Sequence, residues 1–318
     1  MILLLSLLVM AAQTPQASPI FRFESNEFWL NLHHYLYVLG RARADMANAS
    51  REAVVGAPAD EARGLAALSA AERTAWSEIV GIYAEGLSRK DAIFDDPLPG
   101  IALALADADD AASLAGSSVE RAVAATLERA APIYRKAWWP RHQAANRARQ
   151  SDVQALVDRH GRQVLQFITA KYGMDWPRDG YPVHFSAFTN WAGAYSTHEL
   201  LMMSSLATDL RGAHGLESAF HEGMHVWDDA VMTLLRNEVR RTNKRLPPNL
   251  SHAMIFYTAG DAVRRVIPDH VPYADAFGVW DRGYATFKTP LQEIWQPYLD
   301  GHGTRDEAIA ALVARVAR

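Results

Sequence analysis

Ser218-Ala219-Phe220-His221-Glu222-Gly223-Met224-His225-Val226-Trp227 holds the residues best suited to chemistry in this chain. It contains H-E-x-x-H, two histidines four positions apart with a glutamate after the first. On an α-helix, positions i and i+4 lie about 40° apart around the axis and roughly 6 Å along it. Two neutral imidazoles so placed can point at one metal ion. Glu222 falls about 100° further round, beside such an ion rather than on it. From there a carboxylate can take a proton from a zinc-activated water, whose pKa the metal lowers to about 7, and later pass it to a leaving group. No charge or proline other than this glutamate interrupts Ala219 to Trp227, so the segment reads as a partly buried helix.

This stretch resembles the active-site helix of the zincin metallopeptidases. The secure resemblance covers about ten residues, and a looser one extends from Tyr181 to about Arg265. It implies one zinc ion per chain, His221 and His225 as ligands, Glu222 as general base and acid, and a peptide or protein substrate. The metzincin subgroup continues its motif with a glycine and a third histidine. Here those positions hold Asp228 and Val231, which excludes that subgroup.

A catalytic zinc site needs a third protein ligand. Asp229 shares the helical stripe of both histidines but lies about 12 Å from His221 along the axis, so it suits orienting His225 rather than binding the ion, with a solvated surface acid the alternative reading for both Asp228 and Asp229. The active helix is expected to run to about Arg245, where Arg240, Arg241, Lys244 and Arg245 complement a helix C-terminus before Pro247-Pro248 breaks it. A second helix follows over 250–265, capped by Asn249 or Ser251. Asp261, 36 positions after His225, resembles the acidic ligand that gluzincins supply from a second helix, and Gly260 beside it would permit a close approach. His252 is the alternative ligand. The two lie about 180° apart on that helix, so one zinc does not take both. The cost of an unpaired acid in an apolar run favours Asp261. Tyr257 and Arg264 would share its side and could stabilise an oxyanion; the alternatives are a Tyr257 that merely packs and an Arg264 that merely pairs with Asp261.

Upstream, Tyr181–Phe188, Trp191–Tyr195 and Glu199–Ser204 read as short strands. A small sheet before the motif helix is the zincin order. The resemblance makes Trp191-Ala192-Gly193-Ala194-Tyr195 the edge strand that would pair with an extended peptide. Segments 26–45, 59–89, 117–147 and 151–172 show apolar spacing compatible with amphipathic helices, and 306–318 reads as a closing helix. Asp95–Gly100 reads as a loop, and His33-His34 and Trp138-Trp139 as core or cleft wall. The expected class is therefore α+β and predominantly helical. A helical region over 18–175 would precede a zincin-like catalytic region over 176–318.

Residues 2–10 form an apolar run too short to span a bilayer. With Ala11-Ala12 after it, residues 1–17 suit a signal peptide, although the basic n-region is missing. Export to a periplasmic or extracellular space is the expectation, with a cytoplasmic location otherwise. There is no Cys, so neither a disulfide nor a thiolate zinc site is available. A net charge of −4 argues against nucleic acid as the main partner, and no stable transmembrane anchor is expected. A zinc-dependent peptidase is the leading reading. Its rivals are a zinc hydrolase of a non-peptide amide or ester, and a non-catalytic binding or scaffolding protein on the same fold.

Overall fold

Strand β1 (Phe21–Glu24) leads into helix α1 (Phe28–Arg43), which is buried on every side from Phe28 to Arg41. A helix buried all round lies at the centre of a core rather than on its surface, and its polar members Asn31, His33, His34 and Arg41 are all hydrogen-bonded. α1 accordingly forms the axis around which α3 (Ala70–Glu85), α4 (Leu98–Ala108) and α5 (Arg121–Ala137) pack, with α2 (Glu52–Leu65) against it. The computed structural model describes residues 19–44, 52–109, 111–197, 199–242 and 244–317. The signal-peptide expectation for 1–17 lies outside them.

The chain is mostly helical with a small mixed sheet, as an α+β reading requires. The helix expected over 59–89 is two helices. Ser69 accepts a hydrogen bond from the Glu72 amide, and the Glu72 carboxylate accepts one from the Ser69 amide. That reciprocal cap starts a new helix. The segment 117–147 likewise divides at Trp138, with Pro140 in the first turn of α6 (Trp139–Leu156). After a wide turn α7 (Arg162–Tyr172) follows and ends at Gly173, whose φ of 62° is left-handed. The loop expected at 95–100 already begins α4 at Leu98.

Four strands form one sheet in the order β1-β2-β4-β3, with β2 over Tyr181–Ser186, β3 over Ala194–Ser196 and β4 over Leu201–Ser204. β2 runs parallel to both β1 and β4, and β3 is an antiparallel edge strand on β4. Alternation along the strands sends the two faces into different cores. Val183, Phe185, Leu201 and Met203 join the core built around the motif helix, while Leu200, Met202 and Tyr195 join the core around α1. The motif-side core also takes Phe21, Val153, Val164 and Ile168, so it draws on both sides of residue 175.

α8 (Ala213–Met224) carries the motif, a single 3-10 turn covers His225–Trp227, and α9 (Asp228–Arg240) continues from it. The helix expected to run from the motif to about Arg245 thus stops at Arg240, and it is interrupted in the middle. α10 (Leu250–Val266) packs across α8. Short helical turns over 273–299 and a final helix, Arg305–Val316, close the chain. Among the described residues no helix is long and apolar enough to cross a membrane.

Candidate metal centre

His221 and Glu222 sit in the last turn of α8, inside the core. Gly223 between the motif residues has a packing reason. A Cβ there would stand 2.4 Å from the Trp176 ring, a separation no side chain tolerates. His225 opens the 3-10 turn with φ −61° and ψ −18°, close enough to helical for both imidazoles to remain on one side.

The third residue brought to them is His252, in the first turn of α10. One ring nitrogen from each of His221, His225 and His252 lies within 4.8 Å of the others. The Nε2 atoms of His221 and His252 are 3.2 Å apart. Two nitrogens at zinc bond lengths of about 2.1 Å stand roughly 3.2–3.5 Å apart at near-tetrahedral angles, so the spacing fits a shared ion. Phe256, one turn after His252, stacks on His221 at 3.8 Å between centroids and on His252 at 4.8 Å.

Electrostatics favour lone pairs at this point. Burial, with His225 and His252 nearby, holds His221 well below the usual histidine range. Burial and His225 push His252 down to about 3. Both are neutral imidazoles at ordinary pH, the form that binds metals. Burial also opposes charge on His225, but its hydrogen bond to Asp228 and the nearby Glu222 outweigh this and raise its pKa. The His225 Nδ1 to Asp228 Oδ2 distance is 2.8 Å. His252 Nδ1 meets the Tyr284 hydroxyl at 3.0 Å. His221 Nδ1 is buried with no partner among the described residues. A cation-binding histidine typically has its second nitrogen fixed by an outer partner, as His225 and His252 do here.

Glu222 stands beside the cluster. Its carboxylate oxygens are 4.0 Å from His221 Nε2 and from His225 Nε2, and Oε2 accepts a hydrogen bond from Ser196 Oγ at 2.9 Å. Burial raises its pKa, against the lowering influence of His225 and Ser196. Ser196 lies on edge strand β3, so the carboxylate is tied directly to the sheet edge.

Several expectations are corrected. Asp261 is not brought to the histidines. It is 3% exposed and bound by Arg264 Nη2 at 2.8 Å and Arg265 Nε at 2.7 Å. The cost of burying this acid is therefore met by two guanidiniums on its own helix face. His252, half a turn round from it, takes the face toward α8. Gly260 serves the packing of α10 instead, since a Cβ would meet Pro272 at 2.6 Å and Glu217 at 3.0 Å. Tyr257 moves with Asp261 and donates to Gln296 Oε1 at 2.7 Å. The tyrosine beside the cluster is Tyr284, and the acid that orients His225 is Asp228, not the exposed Asp229. Of the expected edge strand, Ala194 and Tyr195 belong to β3. Trp191, Ala192 and Gly193 form the turn before it, with Gly193 at φ 83° and the Trp191 indole donating to Asp91 at 3.3 Å.

The adjacent pairs are core residues. His33 and His34 hydrogen-bond the hydroxyls of Tyr83 and Tyr195 at 3.0 and 2.7 Å, and Trp138 stacks on Trp76. Ser196, Asp228, Phe256 and Tyr284 were not singled out from sequence as parts of the site. Asp228 has a signal in hindsight, three positions after a motif histidine. Tyr284, 32 positions beyond His252, has none. Comparisons with family models, with curated proteins and with solved structures gave no match.

Proposed function

We propose that the chain is a zinc-dependent hydrolase that cleaves peptide bonds. The observation that carries this reading is the meeting of His221, His225 and His252 beside a buried glutamate that, among the described residues, belongs to neither their donor set nor an ion pair with Lys or Arg. The order of small sheet, edge strand and H-E-x-x-H helix supports a zincin-like catalytic part. A third histidine in place of an acidic ligand departs from the gluzincin pattern, and leaves a site whose protein ligands are all neutral.

Zinc held by the three histidines would lower the pKa of water to about 7 and polarise a carbonyl. The rest is done by the chain. Glu222 is placed to take the proton of the attacking water and to deliver it to the amine as the C–N bond breaks and the C–O bond forms. Ser196 fixes the carboxylate, Asp228 and Tyr284 fix two imidazoles, and β3 offers an edge along which an extended substrate could add as a strand.

The test is digestion of a broad peptide library by the zinc-supplied protein and by Glu222→Gln. Cleavage by the first, with silence in a variant that still holds zinc, is the expected result. Cleavage by both would remove Glu222 from the mechanism. Silence from both with zinc bound would reject the peptidase reading.

A further inference from the structure

The basic run that follows the metal centre has no role in the chemistry above. Arg236 and Arg240 on α9, Arg241, Lys244 and Arg245 after it, and Arg315 in the last turn of the final helix are all exposed. α9 packs against the final helix, and Lys244 Nζ donates to the Ala314 carbonyl at 3.1 Å. The C-terminal ends of two helices therefore meet, and their cations form one patch.

Helix ends attract cations locally, and magnitudes decide how much of the patch this explains. Each helix C-terminus presents about half a negative charge, so the two together offset about one cation. Glu238, 2.9 Å from Arg241, offsets another. About four positive charges remain on a chain whose formal net charge is −4. The acids Asp228 and Asp229 at the opposite end of α9 lie about 18 Å from Arg240 by helical rise. That exceeds a Debye length of about 8 Å, so they do not cancel the patch.

The partner's sign follows from the charge, and its shape from the surface. The six side chains lie on α9, on the segment that follows it and at the end of the final helix, and none lines the clefts at Arg43–Arg89 or Tyr257–Asp300. No aromatic lies among these six side chains to stack a base, which disfavours single-stranded nucleic acid. An exposed array of five arginines and one lysine suits a flat anionic surface, where alkyl stems can enter the interface while the charges meet phosphates.

We infer that this end of the molecule docks on an anionic lipid surface, through Arg236, Arg240, Arg241, Lys244, Arg245 and Arg315. Each cation near such a surface is worth about fivefold in partitioning. The inference does not depend on the hydrolase reading.

The test is co-sedimentation of the full chain with phosphatidylcholine vesicles carrying about one-third phosphatidylglycerol, at low and high salt. Binding at low salt, lost at high salt and absent with phosphatidylcholine alone, is expected. The double variant R240E/R245E reverses two charges and should lower partitioning about 25-fold or more. R121E/R129E makes the same change of net charge on exposed positions of α5 and should leave binding unchanged. Circular dichroism checks that both variants are folded. No binding by the wild type, equal binding to neutral vesicles, or equal losses in the two variants would each overturn the inference. So would capture by polyphosphate or RNA without any binding to vesicles.

Discussion

His252 Nε2 lies 3.2 Å from His221 Nε2, on a helix 27 residues downstream of the motif that carries the other two histidines. Packing alone does not require two imidazoles to turn their nitrogens toward each other. The Tyr284 hydroxyl at His252 Nδ1 fixes that orientation. Tyr284→Phe should therefore weaken zinc binding about tenfold or more, as loss of an outer partner does at histidine sites. Competition with a chromophoric chelator measures it. An unchanged affinity would mean that stacking on Phe256 alone holds the ring.

Ser196→Ala deletes the hydrogen bond from Ser196 Oγ to the Glu222 carboxylate. The serine touches neither histidine nitrogen, so zinc stoichiometry should stay unchanged. Turnover should fall about tenfold, since a hydrogen bond to a charged group contributes roughly 1.5 kcal/mol and more. Ser196→Thr should recover part of the loss. The comparison of kcat with KM is informative, because a collapsed sheet edge would raise KM, whereas a misplaced base lowers kcat.

Gly223→Ala tests the packing behind the motif helix. Its new methyl group would meet the Trp176 ring, which is itself wedged among Phe21, Phe220 and Trp227. Overpacking of this kind costs about 1–3 kcal/mol. Urea unfolding should show that loss, and an unchanged midpoint would show that Trp176 can move aside.

His34 makes the chain sensitive to acid. Burial first, with His184 adding to it and the Leu30 carbonyl opposing, pushes its pKa down to about 4. The unfolded chain takes up this proton below about 6.5, whereas the folded one resists it. Its contribution to stability is thus present above about pH 6.5 and is lost as pH falls toward 4. His34→Gln keeps a polar partner for Tyr195 and cannot titrate. Thermal unfolding of the variant should fall less steeply than that of the wild type across this window. Parallel curves would contradict the shift.

The reach of the sequence differs from element to element. The motif spacing made His221, Glu222 and His225 readable because helical geometry relates residues one turn apart. Three of the four strands were visible through their apolar runs and turns. β1, only Phe21-Arg22-Phe23-Glu24, was too short for alternation to register. The two apparent long helices concealed breaks at Ser69 and Trp138, where a local cap and a proline outweighed continuous propensity. The choice between Asp261 and His252 lay beyond local rules. Both suited a ligand, and they faced opposite ways on α10. What decided the matter was which face met α8, together with the finding that Arg264 and Arg265 already satisfied the acid. Tyr284 and Ser196 reach the site through tertiary folding alone.

Zinc per chain, measured by elemental analysis of the wild type, His252→Ala and Asp261→Ala, decides whether the three histidines hold a metal ion. About one zinc is expected in the wild type and in Asp261→Ala, and almost none in His252→Ala. Asp261→Ala should instead lose about 1–2 kcal/mol of stability, as its arginines lose their partner. A wild type that stays empty after zinc is supplied, or a His252→Ala protein that keeps its zinc, would contradict the account.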